Sequence, residues 1–95
     1  MDALQVDTAL SLMAGAADLR QAAQTIRSSL APCRVLVMDA MDMRDETPFV
    51  CNDRWALYLG ASDGHCWQVT LDLDQARGFF LSELDQPARQ VWARG

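Results

Sequence analysis

The chain contains no lysine: all eight basic residues are arginines, set against thirteen acids, for a net charge of −5. Without lysine there is no Schiff-base nucleophile and no phosphate-loop lysine. Without a concentrated positive field, direct nucleic-acid binding is not expected. No apolar run approaches bilayer length, and Met1-Asp2-Ala3 is acidic where a secretory signal would be basic, so the sequence predicts no membrane association and a cytoplasmic location. Cysteine is sparse. Cys33, Cys51 and Cys66 are odd in number and widely spaced, with no CxxC pair, which reads as free thiols in a reducing compartment with at least two of them buried. The five glycines, at 15, 60, 64, 78 and 95, are scattered and form no phosphate cradle.

What is present is ordinary for a globular chain: 95 residues, 51% hydrophobic and 22% charged, consistent with a single domain over 1–95 and one core. Leu12, Ala16, Leu19, Ala23, Ile26 and Leu30 recur at helical spacing, with Asp7 as N-cap and Ala31-Pro32 as the stop. Gly15 is the weak point of this helix and a place where it can divide in two. Residues 34–38 (RVLVM) read as a strand buried on both faces, and residues 48–51 as a further extended stretch.

Residues 54–73 (RWALYLGASDGHCWQVTLDL) read as a hairpin turning at Ser62-Asp63-Gly64, with Gly64 left-handed. A three-residue loop there pairs Leu59 with Trp67, Leu57 with Val69 and Trp55 with Leu71 on the core face. The other face then holds Ala56–Thr70, Tyr58–Gln68 and an Arg54–Asp72 ion pair. Asp74 caps a helix carrying Ala76, Phe79, Phe80 and Leu84, and a last turn after Pro87 carries Val91 and Trp92. The expected fold is α+β in two layers: a three- or four-stranded antiparallel sheet, a long N-terminal helix and a shorter C-terminal one, in the order α-β-β-β-α.

Signals for chemistry are weak. The stretch 38–46 (MDAMDMRDE) mixes carboxylates with thioethers, ligand types that one metal seldom combines, and lacks the spacing of a calcium loop. His65 and Cys66 are adjacent on an extended segment and point to opposite faces, which argues against a Cys–His pair. Asp72 and Asp74 have structural partners and no evident cleft. No catalytic residue, metal ligand or cofactor is assigned.

The outer hairpin face, with Tyr58, Gln68 and Thr70, is uncharged at its middle, an unusual choice for a sheet open to water. Met41, Asp42 and Met43 form an adaptable surface loop, and Trp92 has no evident internal place. Leu4, Val6, Leu10 and Met13 add more apolar surface than one core stripe requires. Together these predict a non-enzymatic protein acting through protein contacts, regulatory or inhibitory in character. It is expected to form a homodimer, with another protein as the other candidate partner. The alternative is a small-molecule or metal-binding protein using the outer sheet face or the loop 38–46.

Overall fold

Residues 1–84 are described by a computed structural model, in which two helices, α1 (Ala3–Ala14) and α2 (Leu19–Ser29), precede five strands. The strands are β1 (Arg34–Val37), β2 (Val50–Cys51), β3 (Trp55–Ser62), β4 (Trp67–Thr70) and β5 (Gly78–Glu83). The fold is α+β. Its sheet is mixed rather than antiparallel, in the order β1-β5-β3-β2, with β4 also paired to β3.

The N-terminal stretch forms two helices because a second cap competes with continuation. At α1, Asp2 and Gln5 make a reciprocal capping box: Gln5 N donates to Asp2 Oδ1 at 2.9 Å and Asp2 N donates to Gln5 Oε1 at 3.0 Å. At α2, Gln21 N donates to Asp18 Oδ1 at 2.8 Å. Asp2 and Asp18 therefore do the capping, and Asp7, the expected cap, lies inside α1. Gly15, a poor helix former, marks the break. The helices bury Val6, Ala9 and Met13 from α1 and Leu19, Ala22, Ala23 and Ile26 from α2. The early apolar residues are thus largely consumed by the core, with Leu4 the exposed exception.

The largest departure from expectation is β5. The spacing of Ala76, Phe79, Phe80 and Leu84 suits a helix, but residues 78–83 are a strand inserted between β1 and β3. It runs antiparallel to β3, from Trp55↔Glu83 to Gly60↔Gly78, and parallel to β1, from Arg34↔Gly78 to Val37↔Leu81. Side chains alternate, so Phe79 and Leu81 join Val35, Trp55, Leu57 and Leu59 beneath the helices, while Phe80 takes the opposite face with Tyr58. A strand buried on both faces carries no period-two polarity, and this is how it passes for a helix.

The hairpin turns where expected, with Gly64 at φ 98°, but in another register. Leu59 lies opposite Thr70 and Ser62 opposite Trp67, an odd offset that exchanges the faces of β4. The cause is local. Asp63 Oδ1 accepts from both His65 N (2.9 Å) and Cys66 N (3.1 Å), which extends the loop to residues 63–66. Trp67 and Val69 consequently pack on the outer face with Phe80, the Trp67 and Phe80 rings meeting edge-on at 6.5 Å.

That outer face is not open. Met43, from the 38–47 connection, is buried against Ala56, Tyr58 and Phe80 and forms a second small core. Arg54 does not pair with Asp72; its Nη2 donates to Ala14 O (3.2 Å) and Ala16 O (2.9 Å) at the end of α1. The cysteines are free, but Cys51 and Cys66 are exposed and Cys33 is half-buried, because none falls at an inward sheet position beneath the helices. The expected final turn with Val91 and Trp92 lies outside the described residues.

Candidate interaction surface

The structure brings together two of the residues singled out from sequence and separates the rest. Tyr58 is only 5% exposed, its hydroxyl donating to Met43 O at 3.5 Å, and Met43 is equally buried. Met41 and Asp42 remain on the surface of the connection. Gln68 and Thr70 face the helix side of the sheet, away from Tyr58, because of the register of β4. Trp92 lies outside the described residues. The connection itself is a run of turns: Met41 N donates to Asp39 Oδ1 (2.9 Å), Asp42 N to Asp39 O (3.0 Å) and Met43 N to Ala40 O (3.1 Å). Among the described residues no three His, Cys, Asp or Glu side chains are grouped to hold a metal ion. Among the described residues Asp63 is the one titratable group visibly perturbed: the amides of His65 and Cys66 hold its carboxyl below the usual carboxylate range.

The feature that sequence reasoning missed is the side of β1 away from β5, which the strands of the described residues leave free. RVLVM reads as a fully buried strand, yet Val35 alone is buried, while Leu36 is 41% and Val37 48% exposed. Among the described residues β1 pairs with β5 and no other strand. In a strand, the N–H and C=O of alternate residues point to alternate sides. Met38 N donates to Leu81 O at 2.7 Å, so the even-numbered residues address β5. Val35 and Val37 therefore direct their backbone groups to the free side. Val35 O is covered there by the Arg27 guanidinium, reaching from the last turn of α2. A charged side chain laid over an edge is a recurring way of guarding unpaired strand groups.

Charge is distributed unevenly along this edge. At the start of β1, a groove floored by Pro32, Cys33 and Val35 is lined by Arg27 and Arg34 with no acid. At its end, where α2 begins, a second groove is lined by Asp18, Asp39 and Glu83 with one base, Arg20, beside Val37 and Met38. The polarity follows from topology. α2 runs back along β1, placing its N-cap Asp18 at the strand's far end and Arg27 at its near end. No single stretch of sequence carries this pattern, because its residues come from α2, β1, the following loop and β5.

No helix among the described residues is long and apolar enough to cross a membrane. No protein-family model, curated protein or solved structure matches the chain.

Proposed function

We propose that this protein acts through protein contacts, as a small non-enzymatic binding module, and that the contact is strand addition at the free side of β1. The observation that supports this reading is the pairing of outward backbone groups at Val35 and Val37 with exposed apolar side chains at Leu36 and Val37. Strand addition draws affinity from main-chain hydrogen bonds and selectivity from alternate side chains, and β1 offers both. The outer sheet face, the more attractive surface on sequence grounds, is already filled by Met43 and offers a partner little apolar area.

Val37→Pro tests the reading. Its N–H points away from β5, so proline there removes an outward donor and no ladder bond. Partners recovered with the wild-type chain should be lost from a Val37→Pro chain of similar melting temperature. Undiminished recovery would refute strand addition at this edge.

A further inference from the structure

Resting on that reading of β1 as a contact edge, the geometry points to a second copy of this chain as its occupant, paired antiparallel to β1 about a twofold axis through Leu36. The case begins with parity. Two antiparallel strands exchange both hydrogen bonds only between residues whose backbone groups face each other, here Val35 and Val37 of each copy. Setting Val35 opposite the second copy's Val37, and the reverse, satisfies this. It also places Leu36 against Leu36 as a non-hydrogen-bonded pair, the closer kind, so that two half-exposed leucines cover one another. Val37, more exposed than Leu36, then lies beside a valine on the helix side of the joined sheet.

Charge selects the same arrangement. An antiparallel twofold sets the beginning of one β1 against the end of the other. Arg27 sits over Val35, so the second copy's Arg27 arrives opposite Val37, in the groove that Val37 lines with Asp18, Asp39 and Glu83. Arg34 arrives opposite Met38, one residue from Asp39. Each basic end meets an acidic end, twice, by symmetry. A parallel arrangement would set arginines against arginines and acids against acids.

The guard over the edge is released in the same event. Val35 O, now held by Arg27, accepts instead from the second copy's Val37 N–H. Arg27 exchanges a neutral carbonyl for carboxylates across the interface, the stronger partner for a guanidinium. The result is one continuous sheet through both copies, with the two α2 helices side by side on one face. It differs from the dimer expected from sequence, which would have met through Tyr58 or the N-terminal helix.

Sedimentation from micromolar to submillimolar protein, at low and high salt, provides the test. The expected result is a concentration-dependent species of twice the 10.5 kDa chain mass that weakens as salt rises. Leu36→Lys, at an exposed position, sets like charges on the axis and should raise the dissociation constant by about tenfold or more. Arg27→Glu and Glu83→Arg should each weaken the dimer, and combined in one chain they should restore it, because the swap rebuilds complementarity across the twofold. Circular dichroism and melting confirm that each variant folds. A dimer indifferent to Leu36→Lys, or single charge variants not rescued by the double, would overturn this arrangement. A 10.5 kDa species at all concentrations would also overturn it, and the amides of Val35 and Val37 then decide the broader reading. If they shift in NMR spectra on adding a synthetic peptide of alternating valine and threonine, strand addition stands without the second copy; if they do not, both fall.

Discussion

The guanidinium carbon of Arg54 lies 3.9 Å from the centroid of the Trp55 ring. The same side chain donates to the carbonyls of Ala14 and Ala16, just where α1 ends and the chain turns toward α2. One arginine thus stacks on the first residue of β3 and satisfies carbonyls that the broken helix leaves without partners. Replacing Arg54 with alanine should destabilise the fold by about 1–2 kcal/mol, with lysine intermediate because it keeps the charge and loses the planar stack. Urea unfolding followed by tryptophan fluorescence measures this. Equal midpoints for wild type and alanine would show that Arg54 does not tie α1 to the sheet.

Gly60 and Gly78 face one another across β3 and β5 and differ in what limits them. A Cβ at Gly60 would lie 3.1 Å from the Phe80 ring and 3.3 Å from Trp67, side chains able to yield slightly. A Cβ at Gly78 would lie 2.5 Å from Arg34 O, a backbone atom held in the ladder. Both alanine variants should be destabilised, within the range of about 1–3 kcal/mol typical of overpacking, and Gly78→Ala should be the worse. The reverse order would mean that β1 moves off β5 more readily than the aromatic rings repack.

Met43→Ala should cost about 2–4 kcal/mol, because it empties the cover over Tyr58 and Phe80. Met41→Ala, two residues earlier on an exposed stretch, should change stability by about 0.5 kcal/mol or less. Chemical denaturation of the two variants side by side checks the contrast. Similar, small losses would show that the connection does not hold the outer face.

The Asp63 carboxyl should titrate below the ordinary carboxylate range, as followed by carboxyl NMR chemical shifts, because His65 N–H and Cys66 N–H both donate to it. A lowered folded pKa contributes stability that is present above the unfolded value and is lost as pH falls through the folded one. The carboxyl is exposed, so the contribution is small and confined to acid. Asp63→Asn should abolish that part of the acid dependence, and an unshifted carboxyl in the wild type would break the account of why the loop spans 63–66.

Local signals in the sequence led to local features. The helical stripe through Leu19, Ala23 and Ile26, the break at Gly15 and the left-handed Gly64 each depend on neighbours within a few residues, whereas the caps fall on Asp2 and Asp18 and not on Asp7. What escaped reading depends on distant partners. Phe79 and Phe80 sit at helical spacing as readily as on a strand buried on both faces, and only Gly78, costly inside a helix, pointed to the strand. The register of β4 turned on two hydrogen bonds from one carboxylate. RVLVM looks interior by composition, and its place at the rim follows only from β5 arriving on its other side. The proposed contact surface was illegible for the same reason: its charges converge from four separate segments.

The parallel pairing of β1 with β5 also has a consequence in time. Of the described strands β1 is the first to leave the ribosome, and its only strand neighbour among them is the last. Until residues 78–83 have been synthesised, β1 has α2 to lie against but no ladder to join, while β3 and β4 can already close their hairpin. The sheet is therefore completed by a late strand sliding between two earlier ones. During that interval both sides of β1 are unpaired, which makes the nascent chain most open to wrong partners at the strand that later forms its rim.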